Sequence, residues 1–319
     1  MSRFDRSRLR LLVLVVLAAL APSARGAGQN LQPAPTQPAC GVSFWIDVRC
    51  YGATGNGISD DTAAIRHALH AALAADQPLL LSHGTYELTR PLIIDYTPRA
   101  DTGFRLISMG AILDGRGITS GPVMMIRCSG GVAQAPKGCF YFKEEGTLFV
   151  NADSDSYAVV IGNPDFSDAQ NSIKIDHLIV NNAGPGPRSG GLQLNYVLSS
   201  EIFAVADSAG GAAGIALEQT QISRISGAGS ASAKGGAGLL IEKGYSFANT
   251  IDAMDLEVAP TCLVIASPNA AHNTFISPYM ACATAVAATA GNTTRLVNPL
   301  FGGNVKKKFG AAVGIDTTP

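Results

Sequence analysis

A short apolar motif that returns every 23 or 24 residues limits what this chain can fold into more than any other feature. It reads Gly191-Leu-Gln-Leu-Asn195, Gly214-Ile-Ala-Leu-Glu218, Gly238-Leu-Leu-Ile-Glu242 and Cys262-Leu-Val-Ile-Ala266, in steps of 23, 24 and 24 residues. A weaker copy begins at Ala285, and an earlier one, Ala158-Val-Val-Ile-Gly162, precedes an insertion rich in Asp, Pro and Gly. A second motif recurs out of phase with the first, as Asn171-Ser-Ile173, Ser200-Glu-Ile202, Thr220-Gln-Ile222, Asn249-Thr-Ile251 and Asn273-Thr-Phe275. Each period therefore holds at least two short strands parted by Gly, Ser and Asn, with no room for a helix between them. Leucine-rich repeats have a similar period but need a Leu-x-x-Leu-x-Leu run that is missing here. The expected fold is all-β: a single-stranded parallel β-helix, one coil per period, right-handed because parallel crossovers almost always are.

Side chains alternate across a strand, so Leu192 and Leu194, Ile215 and Leu217, Leu239 and Ile241, and Leu263 and Ile265 should point inward and stack in apolar columns. Asn195, Glu218 and Glu242 then share one outward column, with neighbouring backbones about 4.8 Å apart. Asn171, Asn249 and Asn273 fall at the recurrent turn. They either stack as an amide ladder or serve as ordinary turn residues tolerant of left-handed backbone.

The opening residues set the compartment. Arg3, Arg6, Arg8 and Arg10 precede an apolar run over 11–21 and the small-residue pattern Ala24-Arg25-Gly26. That is the plan of a secretory signal peptide, residues 1–26, cleaved before Ala27. The run is shorter than the about 20 residues a membrane anchor needs, and no later segment is long and apolar enough to span. Residues 27–39 read as a disordered leader, and the β-helix should occupy 40–319. All six cysteines lie beyond the cleavage site, as suits an oxidising compartment. The pairing Cys40 with Cys50, Cys128 with Cys139 and Cys262 with Cys282 closes short loops; it is one of fifteen connectivities, with buried free thiols as the alternative. With 23 basic and 24 acidic residues the chain offers no basic face for nucleic acid.

Residues 46–94 are not coil-like. Four turn residues lead to Asp60 and Asp61, placed to cap a helix over 62–75 whose apolar stripe is Ile65, Leu69 and Leu73. Short strands follow over 79–81, 85–88 and 92–94. A solenoid's first coil exposes strand edges and core, and this helix is the expected cap. The block resembles the start of pectate-lyase-superfamily proteins related to glycoside hydrolase family 28. There a Tyr-Gly-Ala-x-Gly-x-Gly-x-x-Asp-Asp-Thr-x-Ala-Ile segment opens the β-helix and a Gly-Thr-Tyr strand follows the capping helix. Here these are Tyr51 to Ile65 and Gly84-Thr85-Tyr86. Ser82-His83 stands where the family usually has prolines. The resemblance covers about a fifth of the chain and implies a β-helix and a carbohydrate ligand without naming a reaction.

The polygalacturonase triplet of that family, Asn-x-Asp, Asp-Asp and His-Gly in chain order, is absent. The pieces Asn151-Ala-Asp153, Asp60-Asp61 and His83-Gly84 occur out of order. Pectate lyases use an arginine base and Ca²⁺, and Asp153, Asp155, Asp165 and Asp168 form only a loose acidic group. No cofactor is expected, except Ca²⁺ if the chemistry is that of a lyase. The repeat itself supplies the candidates. Glu218 and Glu242, on consecutive coils, could divide acid and base roles if a groove dries them, although stacked glutamates are as often solvated, with Lys243 near. Asn195, Tyr196, Tyr245, Arg188 and Arg224 are the candidate substrate-binding residues, the tyrosines for stacking on sugar rings and the arginines for uronate carboxylates. The expectation is a secreted or periplasmic protein that cleaves or modifies an acidic polysaccharide, hydrolase before lyase. A non-catalytic carbohydrate-binding β-helix is the alternative.

Overall fold

The computed structural model describes residue 40 and residues 43–130, 138–288, 293–303, 305–306 and 313–316. The expected signal peptide and leader lie outside the described residues.

The chain winds as a parallel β-helix. A 15-stranded sheet, an 8-stranded sheet and a 3-stranded sheet run along it, and every pairing between named strands is parallel. One coil supplies Glu201–Ser208 to the long sheet and Ala213–Glu218 to the second; the next supplies Arg224–Ala231 and Ala237–Ile241. The first motif's parity holds. Leu192, Ile215, Leu239, Leu263 and Val286 are register partners in sequence and all buried, as are Leu194, Leu217, Ile241 and Ile265.

The second motif is in register only in part. The column that faces the first across the core is Ile175, Ile202, Ile225, Ile251 and Phe275. Thr220-Gln-Ile222 therefore sits three residues early, and Asn171-Ser-Ile173 two. Ile222 is 61% exposed with φ 50°. It belongs to a file of left-handed corner residues: Ser172, Ser199, Ile222, Ala248 and His272. Two isoleucines three apart made the wrong one look like the core residue.

Immediately after each corner runs a ladder that ties coil to coil. Ile173 N donates to Ser200 Oγ at 2.9 Å, Ser200 N to Ser223 Oγ at 3.2 Å, Ser223 N to Asn249 Oδ1 at 3.0 Å and Asn249 N to Asn273 Oδ1 at 3.1 Å. Of the two readings left open, Asn249 and Asn273 follow the amide ladder, with a hydrogen bond of 2.9 Å between their side chains. Asn171 takes no part, because it lies in the 3-stranded sheet with its Nδ2 unpartnered.

Helix α1 spans Thr62–Ala75 and buries Ile65, Leu69 and Leu73 against the first coil. Its two aspartates divide the work differently from the expectation of a shared cap. Asp60 accepts from Thr62 N at 2.9 Å. Buried Asp61 instead turns back to accept from Thr54 N at 2.7 Å and Gly55 N at 3.1 Å, which pins the glycine-rich turn. The predicted disulfides all form: Cys40–Cys50, Cys128–Cys139 and Cys262–Cys282. No described helix is long and apolar enough to cross a membrane.

Candidate functional site

Two concave sites lie on different sheets. The first is a groove of about 540 Å³ on the outer face of the long sheet. Its depth follows from sequence. Strand Arg224–Ala231 presents only Ala228 and Ser230 outward here, so the wall drops one coil between the bulkier coils on either side. Gly227, at φ 119°, lies so close to the neighbouring coil that a Cβ there would stand 1.9 Å from Ala204 O, so no other residue fits.

Three carboxylates rim the groove. Asn181, Asp207 and Ser230 are register partners on successive coils, and Glu257 follows in the same file one coil on. Asp255, two residues before Glu257, shares its face. With about 4.8 Å per coil and about 3.3 Å per residue, the backbones of Asp207 and Glu257 stand about 9.6 Å apart, and those of Asp255 and Glu257 about 6.6 Å. Ser230 Oγ donates to Asp207 Oδ1 at 2.6 Å. Burial, and then the charge of Asp207, push the Asp255 carboxyl above its ordinary range; burial, then Asp255 and Asp207, do the same to Glu257. Asp255 Oδ1 is buried without a partner. None of the residues lining the groove is basic, and no ion pair among the described residues reaches these three acids.

Sequence reasoning missed this trio. The signal was the offset from the core column: Asp207 and Ser230 lie five residues past Ile202 and Ile225. Glu257 lies six past Ile251, the extra residue being accommodated where Ala253 takes φ 47°. Misplacing Ile225 hid the file.

The second site is a cavity of about 710 Å³ on the second sheet, and here the structure brings together Glu218, Glu242 and Arg188. Asn195 and Glu218 are register partners, as expected. Glu218 is 3% exposed; its Oε1 accepts from Gln193 Nε2 at 2.8 Å and from Lys243 Nζ at 3.4 Å. Lys243 also stands 3.7 Å from Glu242 Oε2, so one ammonium lies between the two carboxylates and offsets their repulsion. Tyr157 lines the same cavity, and burial followed by the charges of Glu218 and Glu242 pushes its phenol upward.

The remaining candidates disperse. Asn195 is 0% exposed and lines neither site; its side-chain N and O have no partner. Tyr196 occupies a left-handed corner. Tyr245 stacks on Phe247, ring centroids 5.5 Å apart. Arg224 lies on the long sheet in an ion pair with Asp252. Among the described residues no group of three or more His, Cys, Asp or Glu side chains is arranged to hold a metal, and Asp153, Asp155, Asp165 and Asp168 do not gather into one.

A parallel β-helix opened by a helical cap, with concave sites on its outer faces, is the architecture of pectate-lyase-like proteins. Residues 45–98, the capping block, match the family model described as rhamnogalacturonase A/epimerase, pectate lyase-like. A glucan 1,3-beta-glucosidase from Cochliobolus carbonum is 33% identical over 60 residues, which cover 19% of this chain and 8% of that protein. Among solved structures, the Agl-KA catalytic domain is 15% identical with a TM-score of 0.42 over 92% of this chain and 52% of that one. The A-module of an Azotobacter vinelandii mannuronan C-5 epimerase is 14% identical with a TM-score of 0.38, over 85% of this chain and 100% of that one.

Proposed function

We propose that this protein is an exported glycoside hydrolase that cuts a polysaccharide lying along the groove of the long sheet, with Asp207, Asp255 and Glu257 as its catalytic carboxylates. The observation that carries the reading is the gathering of three acids in one trough without a cation, two of them held above the ordinary carboxylate range. Hydrolysis of a glycosidic bond needs a carboxylic acid that still carries its proton and a second, ionised carboxylate. Asp255 or Glu257 fits the first role and Asp207, oriented by Ser230, the second. The backbones of Asp207 and Glu257 stand about 9.6 Å apart, of the order of the roughly 6.5–9.5 Å between carboxyl groups that an inverting mechanism uses to admit a water.

A trough of carboxylates with no basic lining residue repels a polyuronate and accepts a neutral glycan. We therefore assign a neutral polymer in place of the acidic one expected from the family resemblance. Three disulfides support export to an oxidising compartment.

The test is release of reducing ends from a panel of neutral and acidic glycans, with absorbance of unsaturated products followed in parallel. Wild type should release reducing ends without unsaturation, and Asp207→Asn, Asp255→Asn and Glu257→Gln should each lose at least a hundredfold while Glu218→Gln keeps its rate. Unsaturated products would make it a lyase. No cleavage of any glycan, with binding intact, would leave a carbohydrate-binding protein and end the hydrolase reading.

A further inference from the structure

We infer that the groove is the middle of a longer track on the long sheet, made for a straight, unbranched neutral glycan lying parallel to the helix axis, with Tyr279 as the ring on which one end of that chain stacks. The inference rests on the glycan reading above and concerns how the chain is held, not how it is cut.

Two outward files run side by side toward the groove from the N-terminal end, one apolar and one polar. The apolar file is Ile112, Phe149, Ile179 and Val205, register partners on four consecutive coils and all half-buried; its next member is Ala228. The polar file lies two residues further along each strand, as Asn151, Asn181 and Asp207, and its next member is Ser230. Val205, Asn181 and Asp207 already line the groove, so the files and the groove are continuous. Asn181 Nδ2 donates to Asn151 Oδ1 at 3.4 Å, which leaves Asn181 Oδ1 as an acceptor and Asn151 Nδ2 as a donor for a ligand. A sugar ring in an extended chain has the same two sides, an apolar C–H face and an edge of hydroxyls, and a site for it needs an apolar floor with a few placed polar groups. The polar file stops beyond Asn151, where buried Asp114 is taken up by Arg116 Nε at 2.9 Å.

On the other side of the groove the apolar file resumes. The register partner of Asp255 is Tyr279, and that of Tyr279 is Leu300; they are 38% and 61% exposed. The Tyr279 ring reaches over the next coil. A Cβ at residue 302 would stand 2.3 Å from its Oη, so the missing side chain of Gly302 is what lets the ring lie along the sheet. A ring lying on the sheet turns one face outward, and its apolar face can stack on a pyranose while the hydroxyl stays wet.

The coils also set the shape of the ligand. From Asn151 to Gly302 is six coil steps, about 29 Å at about 4.8 Å each. Binding groups recur once per coil on a straight line, an interval close to one ring of an extended glycan, so the track holds about six rings. A glycan that coils departs from such a line after a few rings, and a branch would meet the bulkier residues beside it.

The experiment is titration calorimetry in the cold, where cleavage does not intrude, with cellohexaose and xylohexaose as straight chains, maltohexaose as a coiling one, and the matching trisaccharides. At least one straight hexasaccharide should bind wild type at least tenfold more tightly than its trisaccharide and than maltohexaose. Tyr279→Ala and Asn181→Ala, on opposite sides of the groove, should each weaken that hexasaccharide roughly tenfold, as loss of one good contact implies. Tyr279→Phe keeps the ring, should bind as wild type does, and guards against loss of fold. Failure of both straight hexasaccharides to bind, maltohexaose binding as tightly as they do, or equal losses in Tyr279→Phe and Tyr279→Ala overturns the inference. So does self-association that Tyr279→Ala abolishes and hexasaccharide does not, which would make this face a contact between copies of the chain. If binding behaves as stated but no glycan is cut, the hydrolase reading falls and the track stands. If a glycan is cut while its binding is indifferent to Tyr279→Ala and Asn181→Ala, the track falls and the hydrolase reading stands.

Discussion

Ser230 Oγ donates to Asp207 Oδ1 at 2.6 Å, across a single step between coils. This bond holds one acid of the groove in place from a strand that contributes no acid itself. Ser230→Ala removes it. A hydrogen bond to a charged group is worth about 1.5–3 kcal/mol, so kcat should fall roughly ten- to a hundredfold with KM little changed, and Ser230→Thr should restore most of it. An equal loss in both variants, or a change confined to KM, would show that Ser230 does not position Asp207.

The Asp255 and Glu257 carboxyls are raised by burial first and by neighbouring acids second. Activity should therefore fall on the alkaline side as the protonated acid of the pair is titrated away. Replacing Asp207 with Asn removes a repulsive charge and leaves burial untouched. Carbon-13 titration of the side chains in Asp207→Asn should show both midpoints moving down toward, but not below, the ordinary carboxylate range. Unmoved midpoints would separate Asp207 from the other two.

Glu144 is 1% exposed inside the early coils, and burial pushes its carboxyl up from 4.5 to about 7 even though Oε2 accepts from the N–H groups of Asp176 and His177. Its Oε1 has no partner. The folded state holds a proton here that the unfolded chain gives up near 4.5, so stability is full below that pH and declines as pH rises toward 7. A shift of this size corresponds to roughly 3 kcal/mol. Glu144→Gln should be more stable than wild type by about that amount at pH 8, and no more stable at pH 4, by urea unfolding. Parallel pH profiles for the two proteins would contradict the assignment.

Asn249 is buried and joined to the coils on both sides of its own: it accepts from Ser223 N, and its Nδ2 donates to Thr220 O at 2.7 Å and to Asn273 Oδ1. Asn249→Ala strands those partners away from water, at about 1–3 kcal/mol for each buried group left unsatisfied. A loss of about 3 kcal/mol or more is expected by denaturant unfolding. Asn171→Ala, outside the ladder, should cost far less, and similar losses at the two positions would remove the ladder's special role.

The coil architecture was legible because apolar parity repeats at a fixed interval: Leu192, Ile215, Leu239 and Leu263 announce one sheet without further help. Helix α1 was legible from the stripe Ile65, Leu69 and Leu73 after two aspartates, although sequence did not reveal that Asp61 bonds the preceding turn while Asp60 caps Thr62. The groove was not legible. Its acids come from different coils, and their alignment depends on the extra residue at Ala253, a local change of register that a fixed period cannot express. The Glu218 and Glu242 file was legible, but the position of Lys243 between them was not, since side-chain direction at a corner is set by the turn.

The trough on the long sheet is shallow or deep according to what a single turn of chain carries at Ala228 and Ser230. Ala228 supports none of the inward apolar columns, and the Ser230 hydroxyl bonds Asp207. Larger residues at Ala228 would fill the recess and smaller changes would reshape it, while the interior that keeps the molecule folded is left alone. Substrate fit and foldedness are in this way assigned to different residues, so the first is free to diverge at little risk to the second.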